Sequence, residues 1–585
     1  MPENLQEPFC EWDSAINPEA NLYTMGNAEE VLPGVCRPFV ANFIQRWDRI
    51  WHLQLAKDLD VEDLVRIPEV PEALILPIVA GRFAINVGFV NNFSATYSVG
   101  EGSDYLEAFF EGSETLHSEA STDEERAAVA YSRLVKKGET STERAQAERR
   151  EAVPRYQESL YRNWQVASDD ELIHAVDEAT DLAGRVFTSH YHNSTAGGEL
   201  LSALNKRLDA QVPDHPEDWG TRISSGLSDV ESSRPAKAIW DLSRVIKGLP
   251  VLADSFAALS PEEILENLNT PSSQDWEVFK NAFDEFIEEL GYRGQRETDP
   301  SQKTWNENPS FVISSLKANL AAADDRNPYI LEEKQVAERE VLEAEIVGAF
   351  SEAEQPGFRR DLALVQELTS GREYTKATWA MSCRTCRPPM IELGARLVDR
   401  NVIEEVEDIF FLLYDEVAPA IHGELSGNDA KKKIEERKGV YEKLKGYFPP
   451  VLFERPFELE PITEQEAVAE ASYEGQGISP GTARGPARVV QSVEEALEVD
   501  LKPGEILVAP FTDAPWTPLF IPAAGVVVET GGVLSHAATV AREYGIPAVS
   551  NVRGAASGLI VNGAIVSLDG VSGEVTVSPP EAPEL

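Results

Sequence analysis

The chain has 585 residues, 42% hydrophobic and 26% charged, the composition of a soluble globular protein of two to four domains, which excludes the fibrous and disordered classes. Its 100 acidic side chains against 52 basic ones leave a formal net charge of −48. Such a surface repels nucleic acid and anionic membranes, so neither is expected as a partner.

The N-terminus MPENLQEPFCEW has no basic stretch followed by an apolar one, and the cysteines are four, Cys10, Cys36, Cys383 and Cys386. Neither a secretory signal nor a disulfide framework is expected, and the location expected is cytoplasmic. The most apolar run, residues 73–90, is interrupted by Pro77, Gly81, Arg82 and Asn86. Its pieces fall well short of the ~20 residues of a membrane span, so it reads as buried core or the wall of a pocket.

Between residues 121 and 164 charged side chains dominate and apolar ones recur thinly at helical spacing, which predicts two solvated surface helices. Helical patterning continues through 172–195. His190 and His192 flank Tyr191 there, but residues two apart face different sides of a helix, and no carboxylate at ligand spacing completes a metal set. They read as packing or surface residues, with the lining of a substrate cavity as the alternative.

Helices are expected to about Leu290, followed by a loop, Gly291-Tyr292-Arg293-Gly294-Gln295-Arg296-Glu297, that leads to Trp305 and Pro309. Glycines flanking Arg293 would let the backbone approach a phosphoryl group while the guanidinium binds two of its oxygens. An ion pair between Arg293 and a neighbouring acid is the alternative.

Two long helical stretches are predicted over 330–352 and 357–401, the second kinked or broken at Pro388-Pro389. Arg384 and Arg387 share a face three residues apart, and in so acidic a chain they are expected to pair with carboxylates, docking of a phosphorylated domain being their other use. Cys383 and Cys386 have the spacing of half a zinc site or a redox pair, yet no second pair follows. They read as reduced thiols on a helix, and no metal is expected. Residues 1–448 are assigned to a helical substrate-binding domain. Residues 449–474 lose periodicity and gain prolines and acids, as a hinge linker does, and 475–585 form the last domain.

That domain centres on Glu529 to Ser550. The apolar run AAGVVV leads into Glu529, Thr530-Gly531-Gly532 permits a tight turn with exposed N–H groups, and HAATVAREYG carries apolar residues at helical spacing before stopping at Gly545 and Pro547. Strand, glycine turn and helix are the prediction. Ser535 stands at the N-cap, directly before His536, where unpaired N–H groups and the helix dipole attract anions. Thr530, Gly531, Gly532 and Ser535 are thus the expected phosphate-positioning residues, and His536 the expected carrier of a phosphoryl group.

The string GGVLSHAATVAREYGIPAV resembles the swivelling phosphohistidine domain of the phosphoenolpyruvate-utilising enzymes, which include phosphoenolpyruvate synthase, pyruvate phosphate dikinase and rifamycin phosphotransferase. The resemblance extends through Gly475 to Val490, Pro503 to Phe520 and Asp569 to Val575. Leu534 stands where many relatives carry Thr, and Thr539 where an aliphatic residue is usual. Pro33-Gly34-Val35-Cys36-Arg37-Pro38 and the loop from Gly291 resemble signatures of the helical domain in the rifamycin phosphotransferase group, with Tyr292 at a position usually held by His.

The fold so implied is multidomain, a large mostly α-helical substrate domain followed by a small α/β swivelling phosphohistidine domain. The activity implied is that of an ATP-dependent, dikinase-type phosphotransferase with His536 as catalytic residue. No Walker motif or ATP-grasp lid is recognisable in the sequence. The expectation is therefore a separate ATP-grasp subunit that supplies ATP and Mg2+, neither being bound by this chain alone. A chain of this make-up is similar to aromatic phosphate synthases, which implies a small aromatic hydroxyl substrate, phenol or an alkylphenol such as 4-cresol. Arg293 would then stabilise phosphoryl oxygens, and Glu297 or a neighbouring acid would accept the proton. An antibiotic or other hydroxylated natural product is the alternative acceptor, and a non-catalytic scaffold subunit is the reading from a different class.

Overall fold

The computed structural model describes residues 7–580, apart from 19, 27, 64–74, 98–122, 214, 217–218, 224–225, 229, 322, 462–470, 492–494, 496–500, 514–515 and 533–534. Leu534, the first two residues of the apolar run 73–90 and the centre of the expected linker lie outside them. The chain divides into two units. One comprises Met1–Ser202, Arg296–Gln302 and Glu367–Thr463, the other Ala203–Gln295, Lys303–Gln366 and Glu464–Leu585.

The first unit is mostly helical, with short strands such as Tyr23–Thr24, which pairs with Ile85–Asn86 and Leu452–Phe453. Pro38 opens the helix Pro38–Leu59, where its missing N–H costs nothing and its ring presets φ, and the helix ends on Asp60 in the left-handed conformation at φ 63°. Trp47, on the buried face, meets Phe187 at 5.0 Å and Trp379 at 5.2 Å between ring centroids, the latter edge-on. That is the geometry aromatic quadrupoles favour. The charged stretch forms two helices, Glu124–Glu139 and Ser141–Tyr161, which bury mainly small side chains such as Ala127, Ala130, Ala145 and Ala152. The break predicted at Pro388-Pro389 falls just ahead of it: helix Gln355–Arg384 stops, and Arg387–Asp399 starts with Pro388 in its first turn.

In the second unit helices Arg234–Lys247, Gln274–Leu290 and Ser310–Ala321 pack with a sheet contributed by residues 471–578. Its strands are β1 (Ala471–Glu474), β2 (Gln476–Ser479), β3 (Thr482–Val489), β4 (Ile506–Ala509), β5 (Gly525–Val528), β6 (Ala548–Ser550), β7 (Ile565–Asp569) and β8 (Glu574–Ser578). The spatial order is β1-β8-β7-β3-β4-β5-β6-β2. Strands β3 to β6 run parallel, and the flanking pairs are antiparallel. The strand period of two explains the unbroken apolar runs ILVA and GVVV. Leu507, Ala509, Val526 and Val528 face a core shared with Trp240, Trp305 and Leu316, whereas Ile506, Val508 and Val527 face a second core with Val566 and Val575. A parallel pair needs a crossover, and helix His536–Glu543 supplies it between β5 and β6.

Candidate active site around His536

Strand, glycine turn and helix stand as the spacing predicts. Thr530 donates from its N–H and its hydroxyl to the Pro510 carbonyl, at 3.1 and 3.2 Å. Gly531 adopts φ +151°, open to a residue without Cβ, and its N–H donates to Asn551 Oδ1 at 3.1 Å. Ser535 N–H donates to the Gly532 carbonyl at 2.9 Å, and Ser535 Oγ accepts from Ala538 N–H at 3.1 Å, capping the helix. In this arrangement the N–H groups of Thr530, Gly531 and Ser535 are engaged within the domain and shape the turn that aims His536.

His536 is the first residue of the helix and only 3% exposed. Its ring lies between two threonine hydroxyls, Thr512 Oγ1 at 3.0 Å from Nδ1 and Thr517 Oγ1 at 3.0 Å from Nε2. Phe520 meets the ring edge-on, 6.0 Å between centroids. Thr517 also donates its hydroxyl proton to the Ser232 carbonyl at 3.3 Å. A carbonyl can only accept, so toward His536 the Thr517 oxygen is the acceptor; this assigns the ring proton to Nε2 and leaves Nδ1 to accept from Thr512. Neither threonine was singled out from the sequence, although both lie in FTDAPWTPLF. Their signal was a hydroxyl on either side of a Pro-Trp pair, which becomes meaningful only when the chain folds over the histidine.

The segment Glu231–Ser233 ties Arg293 to this site. Arg293 is 1% exposed, with Nη2 3.4 Å from the Glu231 carbonyl oxygen and 3.8 Å from its carboxylate. The ion-pair alternative for Arg293 is thus realised, one residue from the carbonyl that holds Thr517. Its loop is fixed by Trp305 N–H donating to the Arg293 carbonyl at 2.8 Å, and Trp305 itself stacks between Phe286 and Phe311. At the far end of the His536 helix, Tyr544 donates to the Ser233 carbonyl at 3.3 Å. Buried Glu543 accepts from Leu227 N–H at 3.3 Å, and desolvation pushes its carboxyl up to about 7.

Glu297 belongs to the other unit and is 7% exposed. There the expectation that Arg384 and Arg387 pair with carboxylates is met by Arg387. Arg384 donates from Nη1 to the carbonyls of Asp299 and Gln302 at 2.5 and 2.7 Å. Arg387 donates from Nη1 to the carbonyls of Pro300 and Ser301 at 3.2 and 3.0 Å, and pairs with Glu407 through Nη2 at 3.2 Å. Two guanidinium forks therefore clamp 299–302, a loop whose carbonyls have no ladder to join. Burial opposes ionisation of Asp299, yet Arg296 beside it, the Ser301 hydroxyl and Arg37 hold its carboxyl below the usual range.

His192 is buried with Nε2 3.1 Å from Asp58, and His190 Nδ1 contacts the Arg372 carbonyl at 3.2 Å, so both are packing residues. Cys383 and Cys386 are buried free thiols. Among the described residues no group of three or more His, Cys, Asp or Glu could hold a metal ion, and no helix is long and apolar enough to cross a membrane.

Comparison with known proteins agrees with this architecture. Residues 501–573 match the family model for the PEP-utilising enzyme mobile domain, and residues 189–373 match the rifampicin phosphotransferase fourth domain. The rifampicin phosphotransferase of Bacillus cereus is 27% identical over 431 residues, 72% of this chain and 48% of that protein. The prodigiosin synthesizing transferase of Serratia marcescens is 31% identical over 387 residues, 65% of this chain and 42% of its own length. The rifampicin phosphotransferase of Streptomyces sviceus is 27% identical over 428 residues, 72% of this chain and 48% of its own. The chain spans about half the length of the curated relatives it matches. His536 and its two threonines lie in the stretch that matches the PEP-utilising enzyme mobile domain, and part of the helical region matches the rifampicin phosphotransferase fourth domain.

Proposed function

We propose that His536 carries a phosphoryl group between two partners, taking it from ATP and passing it to the hydroxyl of a small molecule. The observation that carries this reading is the placement of the ring, the first residue of a capped helix with each nitrogen held by a threonine hydroxyl. In the first step a P–O bond of ATP breaks as an N–P bond forms on the ring. In the second the N–P bond breaks, the acceptor oxygen bonds to phosphorus, and its proton passes to a base. Two displacements spare ATP and acceptor from sharing one pocket.

The hydrogen bonds at the ring set a condition on the first step. Nε2 holds the proton while Ser232 occupies the Thr517 hydroxyl. To attack through Nε2, the ring must shift its proton to Nδ1, where the Thr512 oxygen can accept it. Thr512 and Thr517 travel with the mobile domain and Ser232 does not, so the arrangement with Ser232 in contact is a resting one and the domain leaves it to be phosphorylated.

The donor in this reading is ATP with Mg2+ on an ATP-grasp subunit, and the acceptor a phenol or alkylphenol such as 4-cresol. A phenolic hydroxyl, with a pKa near ~10, needs only modest help to become a nucleophile. Arg293 would bind phosphoryl oxygens and Glu297 or a neighbouring acid would accept the proton. Relatives named for rifampicin and prodigiosin favour a second reading, in which the acceptor is a hydroxylated natural product. The test is to incubate the chain with an ATP-grasp partner, γ- or β-labelled ATP and a panel of phenol, cresols, rifampicin and aliphatic alcohols. Acid-labile label on the wild type and none on His536→Ala is the expected result; product formation by His536→Ala would refute the assignment, and label on rifampicin alone would select the second acceptor.

A further inference from the structure

A cavity of about 230 Å³ lies in the second unit at the C-terminal end of the His536 helix, remote in chain terms from the threonine clamp. Among the described residues that line it, four are cations, Arg222, Lys334, Arg339 and Arg542, against one carboxylate, Glu338. In a chain with 52 basic and 100 acidic side chains, such an excess on one wall is the reverse of its surroundings. Arg339 is largely buried, its side chain 15% exposed, and it pairs with Glu340 at 3.8 Å. Lys334 and Glu338 are also 3.8 Å apart. Both pairs sit at the outer limit of ion pairing, where little of the positive charge is neutralised.

The walls come from different parts of the unit. Arg222 and Gly226 stand on one side, Lys334 to Arg339 on the helix Pro328–Ala349, and Ser479-Pro480, Arg542 and Gly545 on the sheet domain. Two glycines in the left-handed region close it on Gln335. A Cβ on Gly545, φ +61°, would lie 2.4 Å from Gln335 Nε2, and one on Gly226, φ +62°, would lie 2.7 Å from the Gln335 carbonyl oxygen. With a water occupying about 30 Å³ of liquid, the space admits a diphosphate-sized anion and not a polymer.

We propose that this cavity is an anion site for a small phosphate-bearing ligand, orthophosphate or diphosphate, and that its occupant bridges the sheet domain to the helical segments and holds His536 in its resting contact with Thr517 and Ser232. Three guanidinium groups recognise tetrahedral oxyanions by paired N–H donors, whereas chloride or a monocarboxylate satisfies fewer of them. The cavity shares no residue with that ring's contacts, so anion binding stands by itself, whereas its effect on His536 rests on the resting arrangement proposed above.

The test is calorimetry on the whole chain at fixed ionic strength, with diphosphate, orthophosphate and chloride as titrants. Saturable binding of diphosphate at one site, tighter than orthophosphate and absent for chloride, is expected. Arg339→Gln and Arg222→Gln should each weaken it by roughly tenfold or more, as loss of a charge-assisted hydrogen bond does, and Arg339→Lys by less. Arg360→Gln, at a side chain 79% exposed, should leave it unchanged. Hydrogen exchange with diphosphate present should slow at both 335–339 and 542–545. No saturable binding, or binding that Arg339→Gln and Arg222→Gln leave unaltered, overturns the site, and protection on one side only overturns the bridge.

Discussion

Glu543 offers a direct test of how the His536 helix is held. Its carboxyl is 4% exposed, and burial pushes it from an ordinary 4.5 to about 7, with Glu332 adding to the rise while the Leu227 N–H, Arg542 and Lys237 oppose it. The folded protein therefore binds this proton more tightly than the unfolded chain. The stabilisation is complete below pH 4.5 and is lost as pH rises to about 7, where the folded-state carboxyl itself ionises. At about 1.4 kcal/mol per pH unit, the window is worth about 3 kcal/mol. Glu543→Gln keeps a carbonyl oxygen for the Leu227 N–H and removes the titration. The variant should match the wild type near pH 4.5, and its relative stability should climb by about 3 kcal/mol to a plateau above pH 7. Amide hydrogen exchange of the helix His536–Glu543, measured on both proteins from pH 5 to 8 and corrected for intrinsic rates, reads this difference. Parallel profiles would show that Glu543 is ionised in the folded state, and the desolvation argument would fail.

Thr517→Val removes the acceptor of the Nε2 proton and the donor to the Ser232 carbonyl; two buried groups lose their partner, so resting contact should weaken by about 1–3 kcal/mol and ring 15N shifts of His536 should show the proton leaving Nε2. An unchanged tautomer would refute the assignment. Arg384→Lys keeps the charge but cannot span the carbonyls of Asp299 and Gln302, so thermal or denaturant melts should show a loss of about 1–3 kcal/mol in the first unit, and a wild-type melt would show the fork to be idle. Gly545→Ala places a Cβ at φ +61° beside the Gln335 amide and should cost about 1–2 kcal/mol, whereas Gly348→Ala, in open space on a helix, should be neutral or stabilising by the same melt.

The sequence by itself determined the elements whose cause is local. The apolar β-branched run before the glycine turn makes β5, a serine before a helical pattern makes the cap at Ser535, and the histidine after it is placed by that same cap. The two surface helices and the helix break near Pro388 follow from periodicity and from a missing N–H. What only the tertiary structure decided are pairings between residues far apart in the chain. Thr517 meets the Ser232 carbonyl across 285 positions, Arg384 reaches the carbonyls of 299 and 302, and cations from separated segments share one cavity. A carbonyl acceptor is present at every residue and so leaves no mark in a sequence. Which one a buried hydroxyl or guanidinium reaches is fixed by the path of the folded backbone.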